Sequence, residues 1–196
     1  MSIKKILLIQ GHPDRLQRHL GHVLQQAYAD GALSAGHHVR QLDVAGLDFP
    51  LLRSQEEWLH GDVPACLKPA QADVAWAEHI VIFFPLWMGD MPALLKGFLE
   101  QLARPGFAFQ RDKDNPFGTK ALGGRSARLV VTMGMPAAVY RLYFRAHSVK
   151  SLERNILGMV GIAPVHETLI GQVEQLDTKA VHRLSTQMRK LGVEAT

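Results

Sequence analysis

Residues Phe83–Leu102 read FFPLWMGDMPALLKGFLEQL. The apolar run Ile80–Phe84 stops at Pro85, which has no backbone N–H to continue a ladder. Trp87 and Gly89 follow at once, and a helical pattern then covers Pro92–Leu102. Asp90 or Met91 is expected near its N-cap, with Pro92 in the first turn, where a missing N–H costs nothing. A short apolar run hydrophobic at every position is a strand buried on both faces. Strand, tight loop and helix in this order form the repeating unit of a covered parallel sheet.

The same unit recurs along the chain. Ile3–Ile9 is a short, branched, apolar strand. Leu20, Val23, Leu24 and Ala27 follow at helical spacing, with a helix end expected near Gly36. Val39, Leu42 and Val44 suggest a second strand, and Ser54–His60 and Ala70–His79 two short helices. Ile80–Phe84 is the third strand. Pro105–Gly124 reads as a long loop, a feature that is usually functional inside a compact domain. Ala127–Met133 is a fourth strand, Ser148–Val160 a helix, Pro164–Ile170 a fifth strand and Thr178–Leu191 a closing helix. The expectation is one doubly wound α/β domain over residues 1–196, with helices on both faces and strand order 2-1-3-4-5. Ligands of such sheets lie at the carboxyl ends of the strands, at the switch point. The loops Gln10–Gln17, Pro85–Asp90 and Gly134–Tyr140 would meet there.

Composition narrows the function classes. The 196 residues carry a formal net charge of +4, and the sequence pI is about 9.4. That mild excess suits a nucleotide phosphate. Lys and Arg are scattered, and no basic stripe interleaved with aromatic residues points to nucleic acid. Cys66 is the sole cysteine, so no disulfide can form within the chain, and a reducing cytoplasm is the expected setting. Its stretch VPACLKP reads as a bystander thiol. The run Ile6–Ile9 is too short for a signal peptide. Ile80–Met88 contains Pro85 and cannot span a bilayer.

Three loops carry candidate chemistry. In QGHPDRLQRH, the first loop runs into a helix N-terminus, whose free N–H groups and positive dipole end suit a phosphate. His12, Arg15 and Arg18 could donate to it; a loop histidine with solvated arginines is the other reading. The dinucleotide fingerprint G-x-G-x-x-G is absent. His19 and His22 have a spacing that can serve a metal, but H-E-x-x-H is missing and no acidic or cysteine partner completes a set, so surface histidines and no metal are expected. In PLWMGD, Trp87 offers a broad apolar face and Gly89 permits close backbone approach. This is a floor for a planar ring, or a tryptophan filling the core. In TMGMPAAVY, Gly134 again follows a strand, and Tyr140, with His147 beyond it, could stabilise negative charge on a ligand; packing and capping roles stay open.

Taken together, GHP after the first strand, PLWMGDMPALLKGFLEQL, PGFAF and TMGMP with its following tyrosine resemble the flavodoxin-like NAD(P)H:quinone oxidoreductases of the DT-diaphorase type and their bacterial relatives. The similarity covers most of the chain and is weak between Leu47 and Ala75. It implies a flavin, FAD or alternatively FMN, with NAD(P)H as electron donor. It places Pro85, Leu86, Trp87, Met88 and Gly89 along the flavin ring, with backbone N–H groups of Trp87 and Met88 on its polar atoms. His12 and the start of the next helix, with Arg18 and His19, match the phosphate site. Met133 and Gly134 match a segment beside the ring. Tyr140 matches a tyrosine near flavin and substrate, and His147 its histidine partner, one residue out of register. Phe107 and Phe109 resemble aromatic residues that a homodimer presents to the partner's substrate pocket. Two motifs depart from the family: Gln17-Arg18-His19 stands where Ser-Phe-Asn is common, and Met133-Gly134-Met135 where T-G-G is common.

The function implied is a two-electron reductase of quinones or similar acceptors. A regulatory subunit of a potassium efflux system is the alternative within the family. A flavodoxin-type electron shuttle fits less well, because neither an acidic surface nor a Ser/Thr-rich phosphate loop is present.

Overall fold

The computed structural model describes residues 2–110 and 119–196. Five parallel strands form the frame: β1 (Lys5–Gln10), β2 (His38–Asp43), β3 (His79–Pro85), β4 (Ser126–Thr132) and β5 (Val165–Ile170). Their order is β2-β1-β3-β4-β5, as the alternation of strands and helices predicts.

Strand periodicity divides the core in two. Ile6 and Leu8 of β1, Val81 and Phe83 of β3 and Val130 of β4 point to one face, where α1 (Leu20–Ser34) and the closing helix α7 (Thr178–Glu194) cover them. Leu7, Ile9, Ile80, Ile82, Phe84, Leu129 and Val131 point to the other. There they meet α3 (Lys68–Trp76), α4 (Ala93–Leu102) and α6 (His147–Ser151). Successive side chains of a strand face opposite ways, so continuous apolar runs are what a sheet covered on both sides requires.

α1 and α7 approach backbone to backbone through two glycines. A Cβ on Gly31 would lie 2.1 Å from the Arg189 carbonyl oxygen, and one on Gly192 would lie 2.2 Å from that of Tyr28. The Asp177 carboxylate caps α7 by accepting from the Ala180 N–H at 2.7 Å. The short helix α2 (Gln55–His60) is capped by Ser54. It is tied to α4 by Arg104, which donates to the Glu57 carbonyl and to the Gln101 side chain.

Several boundaries differ from the sequence expectation. His79 opens β3 and does not close α3, because its ring is buried against Ser126 and Tyr28. The N-cap of α4 is Pro92; Asp90 is held in a turn and its carboxylate accepts from the Met91 N–H. α5 (Ala137–Leu142) was not anticipated. α6 continues through a π-helical stretch, Leu152–Leu157, into Gly158–Val160. The long loop Pro105–Gly124 contains a small antiparallel pair, Phe109–Gln110 with Thr119–Lys120. Its residues 111–118 lie outside the described residues.

Candidate functional site

After β1 the chain turns to one face of the sheet, and after β3 to the other. The switch point is therefore between these neighbouring strands. Gln10, the last residue of β1, pairs with Phe83, and the Gly11 N–H donates to the Phe83 carbonyl at 2.7 Å.

The loop from Gly11 to His19 is ordered by side chains reaching its own backbone. Gln10 is buried; its Oε1 accepts from the His12 N–H at 3.1 Å and its Nε2 donates to Gln25 at 3.0 Å. Gln25 passes the relay to Gln41 of β2 at 3.1 Å. Three glutamines thus fix the start of the loop to α1 and β2. The Asp14 N–H donates to His12 Nδ1 at 3.1 Å, and Asp14 Oδ1 accepts from the Leu16 N–H at 2.8 Å. Asp14 Oδ2 meets His19 Nε2 at 2.7 Å. At the head of α1, the His19 N–H donates to His22 Nδ1 at 3.1 Å.

These bonds bring three imidazoles together. His12 and His19 stack with centroids 3.8 Å apart, and His22 lies 5.7 Å from His12 and 5.9 Å from His19. His12 and His22 each accept a backbone N–H at Nδ1, so in the neutral ring Nε2 carries the proton and is a donor. Burial, then the charges of His19 and His22, hold His12 below the ordinary imidazole value, against a pull from Asp14. His22 is lowered by burial first and by His19 next, opposed by Asp43. Hydrogen bonds from His19 and from the Leu16 N–H hold the Asp14 carboxyl below the usual carboxylate range. Asp43, at the end of β2, is ion-paired with Arg15 at 3.2 Å. Arg18 is exposed on the same loop.

The segment after β3 forms a tight reverse turn. Leu86 N–H donates to the Thr132 carbonyl at 2.7 Å, which ties the turn to the end of β4. Trp87 and Asp90 exchange backbone hydrogen bonds at 2.8 and 2.9 Å. Met88 and Gly89, at φ 49° and 83°, occupy the two central positions. Positive φ at both is the mark of a type I′ turn, and glycine is the residue that adopts it freely. The Trp87 N–H is consequently occupied by Asp90 and does not face a ligand, a correction to the expectation above. The Met88 and Gly89 N–H groups have no partner among the described residues. Trp87 is 48% exposed, so its ring does not fill the core. It stands edge-on to His12, with centroids 5.9 Å apart and planes at 80°.

Of the expected site residues, the structure gathers His12, His19 and Trp87 at one place, with Pro85, Leu86, Met88 and Gly89 in the turn that carries the indole. Met133 is buried at the end of β4 and its N–H donates to the Ile170 carbonyl; Gly134 follows, exposed.

Tyr140 is a correction. It is 2% exposed, and its hydroxyl lies 2.6 Å from Ser148 Oγ and 3.4 Å from the Val149 N–H. That hydroxyl joins α5 to α6 inside the fold. His147 is exposed at the first position of α6. Phe107 faces inward, lining a small apolar cavity with Leu99, Leu102 and Ile156. Phe109 packs edge-on against Trp58 of its own chain at 6.3 Å.

Asp14 and the glutamine relay were not singled out from sequence. His19 and His22 are half-buried and not surface residues, and the signal lay in His12 occupying the same loop. Among the described residues no group of three or more His, Cys, Asp or Glu is arranged to hold a metal ion. No helix there is long and apolar enough to cross a membrane.

Comparison with known proteins agrees with this architecture. An NAD(P)H:quinone oxidoreductase from Methanothermobacter marburgensis superposes with a TM-score of 0.79 at 20% identity, over 98% of this chain and 97% of that one. The FMN-dependent NADH:quinone oxidoreductase 1 of Jannaschia is 26% identical over 195 residues, 89% of this chain and 98% of its own length. The uncharacterized NAD(P)H oxidoreductase of Haemophilus influenzae is 25% identical over 178 residues, 89% of this chain and 87% of that protein. A ribosyldihydronicotinamide dehydrogenase-like protein of Penicillium crustosum is 28% identical over 155 residues, and the chain spans 57% of its length. The model of the family with the flavodoxin-like fold matches residues 4–191, and the chain belongs to that family.

Proposed function

We propose that the protein is a flavin-dependent NAD(P)H oxidoreductase that delivers a hydride to a quinone or similar acceptor, with FMN as its flavin. The observation that carries this reading is the 5.9 Å approach of Trp87 to His12 at the switch point. It sets an exposed aromatic face beside the donors that surround a helix N-terminus. A planar ring joined to a phosphate matches that pair of surfaces in chemistry. FMN replaces the FAD expected first, because similar proteins of Jannaschia and Bacillus subtilis are named FMN-dependent.

The residues present fit such a group. His12 Nε2–H, the free N–H groups at the head of α1, Arg15 and Arg18 supply positive potential and donors for the phosphate. Trp87 covers one side of the ring. Met88 and Gly89 offer their N–H groups to its polar edge, where reduction raises negative charge. Bound there, the flavin would supply the redox chemistry, taking a hydride from NAD(P)H and passing it to the acceptor. The protein binds and orients; none of its side chains needs to form a covalent bond. Tyr140 positions α6, and His147 is the remaining candidate for contact with the acceptor.

A homodimer belongs to the same proposal. Val139 and Leu142 on α5, and Tyr143 just after it, are exposed, and an open groove of about 340 Å³ runs beside Trp58, Phe109 and Met159. Light scattering at assay concentration tests it; a monomer with full activity removes the shared site.

The function itself is tested by titrating purified protein with FMN, followed by anaerobic NADH or NADPH and then a quinone. Flavin quenching, bleaching by the nucleotide and reoxidation by the quinone are expected. Absence of flavin quenching would end the reading.

A further inference from the structure

Asp14 is the single acidic residue of the first loop, and it occupies an unusual place for one. Its carboxylate joins His19, the N-cap of α1, at 2.7 Å. The first turn of α1 has no acidic residue of its own. A helix N-terminus attracts anions, and here the attracted anion is supplied from within the chain.

A second feature shows that this internal anion leaves the place incompletely satisfied. His12 is 8% exposed, with its Nδ1 occupied by the Asp14 N–H, and its Nε2–H has no partner among the described residues. That donor belongs to a ring that stacks on His19 and stands edge-on to Trp87. The other charges around the cluster are accounted for. Asp43 is paired with Arg15. Arg18 disfavours a charge on His22. A further anion would therefore find His12 open and His19 already taken by Asp14.

We propose that the Asp14 carboxylate stands in for the flavin phosphate in the flavin-free protein, so that an arriving phosphate displaces it from His19 and its charge sets the affinity for phosphorylated flavins. The inference rests on the flavin reading above and adds a residue that determines specificity. In the free protein Asp14 keeps the loop closed through the Leu16 N–H and quenches the positive end of α1. With phosphate bound, it remains a like charge beside the ligand. It therefore weakens FMN and leaves riboflavin, which has no phosphate, unaffected.

The test uses Asp14→Asn, whose side-chain oxygen still accepts from the Leu16 N–H, and Asp14→Ser, which keeps a hydroxyl acceptor without the charge. Both should bind FMN about two- to fivefold more tightly than wild type in fluorescence quenching, in the range of one exposed charge interaction. Riboflavin affinity should stay within about twofold, and the gain for FMN should shrink at about 0.5 M salt, where the screening length is a few ångströms. Equal or weaker FMN binding in both variants, or a matching gain for riboflavin, would overturn the proposal.

A second readout needs no flavin: the histidine ring signals in NMR during titration with inorganic phosphate. His19 should respond at lower phosphate concentration in Asp14→Asn than in wild type, and an identical response sinks the proposal. If neither protein binds flavin yet the phosphate response is strengthened, the role of Asp14 stands and the flavin reading falls.

Discussion

The imidazole of His12 lies 3.8 Å from that of His19 and only 15° from parallel. The loop just after β1 thereby rests directly on the N-cap of α1, and residues Arg15 to Arg18 between them are exposed. Stacking at this distance has an electrostatic price, since two charged rings would repel across it. The chain lowers that price by burying His12 and by setting the Asp14 carboxylate against His19.

Trp87 is expected to serve the ligand and not the core. Trp87→Ala should leave the melting temperature of the flavin-free protein nearly unchanged, because the side chain is 48% exposed. Flavin affinity should fall by about tenfold, the scale of an aromatic contact worth about 0.5–1.5 kcal/mol beyond the area it covers. Melting of apo wild type and apo variant, beside flavin titrations, separates the two effects. A loss of about 3–5 kcal/mol in apo stability, as for a buried aromatic residue, would place the indole in the core.

Tyr140→Phe removes a hydroxyl shared with Ser148 and the Val149 N–H. The Ser148 hydroxyl then loses its partner within the fold, at a cost of about 1–3 kcal/mol. Urea unfolding should show that loss, while single-turnover flavin reduction stays within about twofold of wild type. A tenfold slower reduction in a protein of unaltered stability would instead put the phenol at the reacting ring.

Gly31→Ala should be among the most damaging substitutions of a small residue in this chain. The added Cβ meets the Arg189 carbonyl at 2.1 Å, and backbone cannot yield as a flexible side chain can. Separating α1 from α7 should cost about 1–3 kcal/mol or more, against the roughly 1 kcal/mol that alanine's helix preference over glycine gives elsewhere. Thermal unfolding decides it; a stabilised variant would mean that the two helices are not in backbone contact.

Acid should destabilise the fold through its histidines. His79 is fully buried, with Nδ1 on Ser126 Oγ at 2.8 Å and Nε2 unpartnered among the described residues. Burial first, and then the charge of Lys4, push it down to about 3. A depressed histidine favours the folded state when neutral. Its contribution is complete above the unfolded value of about 6.5 and is lost as pH falls from there toward about 3. His12 and His22 act in the same direction. Unfolding free energy should drop by up to about 1.4 kcal/mol per pH unit for each such group. His79→Leu combined with Ser126→Ala should flatten the profile between pH 6 and 4; an unchanged slope would show that His79 titrates normally.

The parts of the fold most legible in the sequence are those set by local pattern. β1 and β3 hold the unbroken apolar runs Ile6–Ile9 and Ile80–Phe84, and burial on both faces leaves few other readings. The turn after β3 was equally visible, since Pro85 and Gly89 act through their own backbone geometry. What stayed hidden depended on distant partners. His79 looked like the polar end of a helix because Ser126 and Tyr28, which bury it, are 47 and 51 residues away. Tyr140 stands beside a site loop in sequence, but it lies on α5, and its hydroxyl turns inward to Ser148 of the following helix. His19 and His22 have the spacing of an ordinary surface pair, and only the placement of His12 by the Gln10–Gln25–Gln41 relay makes them a cluster.

The contact of Gly31 with Arg189 also has a consequence for biosynthesis. The first helix of the chain finds its cover only in the last, so Leu24, Ala27 and Tyr28 have no lasting partner on that side until residues 178–194 have left the ribosome. At roughly 5–20 residues per second, the nascent chain carries that open apolar stripe for on the order of ten seconds. The face covered by the first helix is thus sealed last, and chaperone demand should fall on the α1 face during synthesis.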